Sequence, residues 1–398
     1  MKIMNKTYRQ LGILIACQAL LFANAVTFNT INGLVGAQLA STKALATLPI
    51  ALYIIGATIS TMPVSMYMRR VGRRRGLMTG AVFGVFGTLL ATAGATYQSF
   101  TILCCGTCIA GIYNACGQYY RFTALELAEH HSPKLRARAV SLVLTGGIAG
   151  GIIGPELAKR SRDIGVAPFA ATYFILALFC LASLCLLHFL SVNQDIVLSK
   201  ERFGRPLSEI IRTPEFISAA SGAAIGYAAM NLIMTATPLA MGICGLPFGS
   251  TVRVMQCHVV AMFLPSFLTG KMINKYGEKN IMLAGCAFAL AAVLVNMINP
   301  ALNGFYVALV ILGVAWNFLY VGGTTLLGRL ATPEEKGRVQ GLNDLIIFLS
   351  MISSSFSSGV LISSRGWAMV NYVALFAVIG LFVTLLSQSR RIMVAAGA

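Results

Sequence analysis

Polar side chains recur at helical spacing inside otherwise apolar stretches, and their types suit them to contact with a polar or anionic ligand. Successive residues of an α-helix are turned by about 100°, so Asn114, Gln118 and Arg121 are predicted to share one face. Three other stretches carry comparable stripes, namely Gln18, Asn29 and Asn32, then Tyr227, Asn231 and Thr235, and then Asn317, Tyr320 and Thr324. Polar groups are costly against lipid, so each stripe should face a water-filled cavity or another helix. Hydrogen bonding between helices explains a single asparagine equally well, whereas four stripes together favour a cavity.

Arg121 admits two interpretations. It follows 22 uncharged residues, 99–120, which are enough to cross a membrane as a helix. Its guanidinium would then lie at the cytoplasmic edge, beside Glu126 and Glu129. If the helix instead continues to residue 129, Arg121 faces the cavity, where its paired donors suit a carboxylate or a similar anion.

Three ionisable residues lie within or at the ends of apolar stretches and are candidates for proton coupling: His258, Glu156 and Asp344. Hydrogen-bonded packing also explains the histidine, and solvation at the membrane surface also explains the two carboxylates. The sequence contains no Ser-His-Asp arrangement, phosphate-binding loop or metal-ligand spacing. We therefore predict neither an enzyme, nor a metal site, nor a bound cofactor.

The elements that must position these residues are membrane-spanning helices. The chain is 57% hydrophobic and 11% charged, with a mean hydropathy of +0.78, whereas an ordinary soluble domain has roughly 25% charged residues. Twelve stretches are long enough to cross the hydrocarbon core as helices, at 11–34, 44–68, 76–97, 100–124, 139–158, 168–190, 213–240, 250–270, 280–298, 305–327, 339–363 and 367–388. The predicted fold class is therefore an all-α integral membrane protein.

The stretches divide into two sets of six. A polar segment, 191–212, separates a first domain at 1–190 from a second at 213–398, and it is predicted to be a cytoplasmic linker. The halves also repeat each other at nearly constant offset, since Asn317 follows Asn114 by 203 residues and Asn231 follows Asn29 by 202. Parallel six-helix repeats are a known plan for secondary transporters, with the solute held between the halves.

Two short loops carry related basic motifs. Six of their residues are predicted to act in gating, namely Arg70, Gly72, Arg73 and Arg74 after the second stretch, and Lys275 and Gly277 after the eighth. The first loop resembles the Gly-x-x-x-Asp-Arg-x-Gly-Arg-Arg signature of the major facilitator superfamily. Ser65 and Arg69 replace its Gly and Asp, and Asn274 replaces the Asp of the second copy. A basic loop that serves orientation alone is the alternative.

The fifth stretch is rich in glycine. Gly146, Gly150 and Gly154 lie on one helical face, followed by Pro155, and small residues at this spacing let helix backbones approach closely in lipid. The pattern resembles the antiporter motif of the same superfamily, although tight packing alone also explains it. In the fourth stretch Thr107 stands where exporters of the family usually carry an arginine linked to proton coupling.

The resemblance covers the whole chain and implies the fold of that superfamily, two pseudo-symmetric six-helix bundles. It implies a secondary transporter that moves a small organic solute by alternating access, and proton-coupled export is the first expectation. Uptake by symport or facilitated passage is the alternative, and a transport-dead receptor or assembly protein is an alternative of another class. The expected partners are the solute, protons and lipid, and the expected oligomeric state is a monomer.

The formal charge of +18 does not indicate nucleic acid as a partner. With the stretches above, 24 of the 30 Lys and Arg residues fall on one side of the membrane. Cytoplasmic loops carry such an excess. We therefore predict that both termini and the linker are cytoplasmic, in a bacterial inner membrane.

Overall fold

The computed structural model describes residues 2–127, 133–192, 205–332 and 335–396, and every regular element in those ranges is a helix. The chain divides into two compact units, Met1–Leu198 and Ser199–Ala398. Each unit has its own buried apolar core. The bounds of the domains and linker at 1–190, 191–212 and 213–398 stay a prediction.

The described residues of the first unit form seven helices. They are α1 (Lys2–Leu39), α2 (Leu48–Val71), α3 (Arg73–Thr96), α4 (Phe100–Gly117), α5 (Tyr120–Leu127), α6 (Pro133–Ser161) and α7 (Ala170–His188), with a short 3-10 turn at Lys43–Leu45. The fourth predicted stretch is thus two helices, α4 and α5, separated by a turn at residues 118 and 119. The Ser99 hydroxyl caps the start of α4 by accepting from the Ile102 N–H at 3.4 Å.

In the second unit, too, seven helices lie within the ranges that the structure describes. They are α8 (Leu207–Ile210), α9 (Pro214–Ile243), α10 (Phe248–Phe263), α11 (Ser266–Tyr276), α12 (Glu278–Ile298), α13 (Leu302–Leu330) and α14 (Lys336–Ala396). The eighth predicted stretch covers α10 and α11, which are bent by 40° across the break that contains Pro265. Proline supplies no backbone N–H and so favours such a break.

Nine helices in the described ranges are long and apolar enough to cross a membrane, and the bent pair α10–α11 makes ten. One of the nine runs from Arg338 to Gln388, and its 51 residues span about 76 Å at 1.5 Å per residue, more than twice the hydrocarbon core. Gly366 interrupts it with φ 75°, so this segment can supply two crossings. The count of twelve agrees with these elements and stays a prediction.

A close backbone contact joins α1 to α6. A methyl group added at Gly146, Gly150 or Gly154 would overlap the carbonyl oxygen of Ile15, Ala19 or Ala23, respectively. The added carbon at Gly150 would also lie 2.8 Å from the Ala23 nitrogen. The glycines therefore let two helices touch backbone to backbone, as their spacing predicts.

The same backbone joint occurs once in each unit. Gly72 joins α2 to α3 with φ 87° and ψ 161°, and Gly277 joins α11 to α12 with φ 81° and ψ 157°. Residues with a side chain rarely adopt this region, so glycine is needed at both joints. The two predicted gating loops, whose glycines are 205 residues apart, thus share one local geometry.

Candidate functional site

An aromatic cluster lies inside the second unit. Trp316 and Tyr320 of α13 are stacked, with ring centroids 5.1 Å apart and planes 14° apart. Tyr227 of α9 stands perpendicular to both, with its centroid 5.1 Å from Trp316 and 5.2 Å from Tyr320. Both tyrosines are half-buried and Trp316 is 4% exposed. The structure thus brings together Tyr227 and Tyr320, which were predicted as site residues.

Sequence reasoning missed Trp316. The predicted stripes contain residues chosen for their polar groups, and tryptophan was not among these. Its position four residues before Tyr320 was the available signal, because residues spaced by four share a helix face. The Trp316 Nε1–H is buried and has no hydrogen-bond partner among the described residues. A buried indole N–H usually finds a partner, so this donor is a notable feature of the cluster.

The two predicted site asparagines of the second unit, Asn231 on α9 and Asn317 on α13, form hydrogen bonds to neighbouring helices. Asn317 is fully buried, and its amide donates to the Met262 carbonyl at 2.7 Å and to Ser266 Oγ at 2.6 Å. Its oxygen accepts from the Thr269 hydroxyl at 2.7 Å. These contacts tie α13 to the break between α10 and α11 and favour the alternative of hydrogen bonding between helices.

Asn231 makes the equivalent kind of contact elsewhere in the same unit. Its amide nitrogen lies 2.9 Å from Ser354 Oγ and 2.6 Å from Ser355 Oγ. It also lies 3.1 Å from the Met351 carbonyl oxygen. Asn231 is 3% exposed, so its role as a solute ligand receives no support from this placement.

The stripe on α1 is only partly engaged. Asn32 is fully buried, and its oxygen accepts from the Tyr173 hydroxyl at 2.5 Å, which joins α1 to α7. Asn29 is half-buried, and its amide donates to the Ala25 carbonyl at 3.2 Å within the same helix. Gln18 is 6% exposed. Asn29 therefore has the most accessible side chain of the three.

Asn114, Gln118 and Arg121 lie along the span Phe100–Leu127, which contains a turn at residues 118 and 119. Asn114 is half-buried near the end of α4, whereas Gln118 is exposed in the turn. Arg121 belongs to α5, where its guanidinium lies 4.9 Å from the centre of the Phe122 ring. Its Nε is buried and without a hydrogen-bond partner in the described part of the chain.

Glu126, placed by the sequence at the same membrane edge as Arg121, pairs with Arg73, a predicted gating residue, and Glu129 lies outside the described residues. Arg73 Nη2 lies 2.7 Å from Glu126 Oε1, and Arg73 Nε donates to the same oxygen at 2.9 Å. This contact holds the start of α3 against α5. Arg70 is exposed and Arg74 is half-buried. Of the three arginines predicted to act in gating in this loop, Arg73 makes the clearest link to another helix.

An ion pair occupies the matching place in the second unit. Glu278, directly after Gly277, lies 2.6 Å from Nη1 of Arg329 at the end of α13. Glu278 follows Arg73 by 205 residues and Arg329 follows Glu126 by 203, so the two pairs are related by the internal repeat with their charges exchanged. Lys275, the predicted gating residue of this loop, is exposed.

The three candidates for proton coupling lie in different surroundings. His258 of α10 is fully buried, its Nδ1 lies 2.6 Å from the Leu309 carbonyl oxygen, and its Nε2 has no partner among the described residues. Glu156, one residue after Pro155 in α6, accepts from Arg160 Nε at 3.0 Å. Asp344 of α14 is half-buried. Their role in proton coupling stays a prediction.

Comparison with known proteins decides the family. The family model described as Major Facilitator Superfamily matches residues 14–321 and 254–392. The chain is a member of the major facilitator superfamily. It is accordingly a multi-pass membrane transporter for a small-molecule substrate and not an enzyme.

Relatives and solved structures agree with this family. The transporter is 37% identical over 369 residues to the riboflavin transporter RfnT of Brucella anthropi, and the match covers 92% of each chain. It is 30% identical to YddS of Bacillus subtilis, an uncharacterized MFS-type transporter, with 92% of this chain and 88% of the relative covered. Its fold is similar to a bacterial homologue of the human lysosomal transporter Spinster, with a TM-score of 0.67, 14% identity and 97% and 96% coverage.

Proposed function

We propose that this transporter carries riboflavin or a closely similar flat heteroaromatic solute across a bacterial inner membrane by alternating access. The observation that carries the proposal is the 37% identity to RfnT over 92% of both chains. The aromatic cluster of Tyr227, Trp316 and Tyr320 adds support, because aromatic side chains stack on flat rings. In the first unit, half-buried amides such as Asn29 and Asn114 are suited to hydrogen-bond a solute that carries hydroxyl groups.

Direction is the finer part of the proposal. Proton-coupled export, the first expectation, is favoured by the glycine motif that ends in Gly154 and Pro155. Uptake by symport or facilitation is favoured by Thr107, which stands where exporters of the family carry an arginine. His258 is the buried protonatable group that coupling would use in either direction, since its Nε2 is without a partner in the described ranges.

Flux of riboflavin into proteoliposomes tests the proposal directly. Time-dependent accumulation in vesicles that contain the protein, and not in protein-free vesicles, is the expected result. An imposed pH gradient should then drive riboflavin with the protons for symport, against them for antiport, and have no effect for facilitation. Binding without flux would instead support a transport-dead receptor. If the protein neither bound nor transported riboflavin, riboflavin would be excluded as the solute.

Arg121 bears on the charge of the solute. Riboflavin is neutral at pH 7, whereas its 5′-phosphate is an anion, and an arginine in contact with solute would favour the anion. On that basis Arg121→Gln should weaken competition by the phosphate ester while leaving riboflavin flux unchanged, and Arg121→Lys should retain part of the competition. Equal competition in all three proteins would make Arg121 an anchor at the membrane edge.

A further inference from the structure

The aromatic cluster is confined to one half of an internally repeated chain. By the 203-residue offset that relates Asn317 to Asn114, Trp316 corresponds to Tyr113 and Tyr320 corresponds to Gly117. Glycine has no ring, so the first unit cannot form a stacked pair at this place. The joints at Gly72 and Gly277 keep an ion pair in both copies of the repeat, whereas the ring pair occurs in one copy alone. The ring pair is therefore a candidate ligand site.

The cluster also holds an unsatisfied hydrogen-bond donor. Trp316 is 4% exposed, and its Nε1–H has no acceptor among the residues described. A buried donor without a partner is unfavourable, because it has lost its hydrogen bonds to water. A carbonyl group carried in by a ligand would satisfy it. The rings of Tyr227 and Tyr320, beside Trp316, are only half-buried.

The chemistry of the cluster selects one class of ligand. Stacked and perpendicular rings favour a flat, delocalised ring system, and the indole N–H favours a carbonyl on its edge. We infer that Tyr227, Trp316 and Tyr320 form the site that holds the ring of the solute, and that Trp316 Nε1 donates to a ring carbonyl. This inference rests on the proposed function, since the isoalloxazine ring of riboflavin is flat and carries two carbonyls.

Binding of riboflavin to the purified protein tests the site, because stacking on tryptophan or tyrosine quenches flavin fluorescence. Tyr320→Leu removes one ring and should raise the Kd by about tenfold and reduce the quenching. Trp316→Phe keeps a ring but removes the donor, and should raise the Kd by about fivefold while retaining quenching by the tyrosines. The ring without its chain, lumichrome, should compete with riboflavin, whereas ribitol should not.

The matched control is Phe288→Leu. Phe288 packs against Phe318 with ring centroids 5.7 Å apart and is 41% exposed, so this variant loses a ring of the same unit outside the cluster. Its Kd should equal that of the wild type, and thermal unfolding should show that Tyr320→Leu is folded. Wild-type binding together with unchanged Kd values in Tyr320→Leu and Trp316→Phe would overturn the site alone. Failure of the wild-type protein to bind riboflavin would overturn the proposed function and the site with it.

Discussion

The two units share their backbone joints and differ in the chemistry placed on them. Gly72 and Gly277 have nearly the same φ, 87° and 81°. The residue that follows is Arg73 in the first unit, paired with Glu126, and Glu278 in the second, paired with Arg329. The repeat has therefore kept an ion pair at this joint without keeping which partner carries the positive charge.

The contact between α1 and α6 in the first unit and the contact between α9 and α14 in the second unit also differ in their chemistry. In the first unit Gly150 brings α6 onto the backbone of α1. The residue 204 positions later is Ser354, which lies on α14 and contacts Asn231 of α9. In the first unit the two helices approach closely because glycine has no side chain. In the second unit the corresponding side chain forms a hydrogen bond to the neighbouring helix. Both kinds of contact hold helices together in lipid.

Filling the glycine contact should lower the stability of the first unit. Gly150→Ala adds a methyl group that overlaps the Ala19 carbonyl oxygen, and overpacking of this kind destabilises by about 1–3 kcal/mol. Gly12→Ala is the control on α1, because nothing lies within 4 Å of its added methyl group, and alanine is the better helix former. Thermal unfolding in detergent should show a lower Tm for Gly150→Ala and an equal or higher Tm for Gly12→Ala. Equal Tm values in Gly150→Ala and the wild type would contradict the backbone contact.

The repeated asparagines should separate stability from transport. Asn317→Ala removes three buried hydrogen bonds at the α10–α11 break, and about 2–4 kcal/mol of stability should be lost at roughly 1 kcal/mol for each. Asn114→Ala removes a half-buried amide for which we propose a role in contact with solute. Its Tm should stay near the wild-type value while the KM for riboflavin rises. The reverse pattern would exchange the roles that we assign to the two residues.

Asn114 and Asn317 also show which features of the structure can be predicted from the sequence. Hydropathy and the 203-residue offset predict the helices and the repeat, because both depend on local composition. They cannot tell Asn114 from Asn317, since Ser266 and Thr269 reach Asn317 only through the break at Pro265. The turn at residues 118 and 119 is likewise invisible to hydropathy, and it lies between Asn114 and Arg121.

Exchanging the charges in the first unit tests whether the joint needs an ion pair or a particular sign. Arg73→Glu alone places two carboxylates together and should lower both the Tm and the transport rate. The double variant Arg73→Glu/Glu126→Arg has the charge order of Glu278 and Arg329 and should recover most of both losses. The pair is 27% and 37% exposed, so a coupling energy of about 0.2–1 kcal/mol is expected from the double-mutant cycle. A double variant no better than Arg73→Glu would show that the sign matters.

The last prediction concerns an ion pair in the described part of the second unit, where Arg205 meets the turn before α14. Arg205 Nε and Nη2 donate to the two oxygens of Glu335, each at 2.9 Å, and the Glu335 side chain is 1% exposed. These bonds to the Arg205 guanidinium lower the pKa of Glu335 to about 2 from its ordinary 4.5. The stabilisation is therefore complete above pH 4.5 and is lost as the pH falls toward 2.

Comparing Glu335→Gln with the wild type over this range checks the sign. The wild type should have the higher Tm from pH 7 down to pH 4.5, and the difference should shrink between pH 4.5 and 2 because the carboxylate becomes protonated. Asp163→Asn is the control, since Asp163 is 81% exposed and its contact with Arg162, at 3.5 Å, is long. Its Tm should match that of the wild type at pH 7. A Tm difference for Glu335→Gln that does not change between pH 7 and 2 would mean that shape, and not charge, holds Arg205 to this turn.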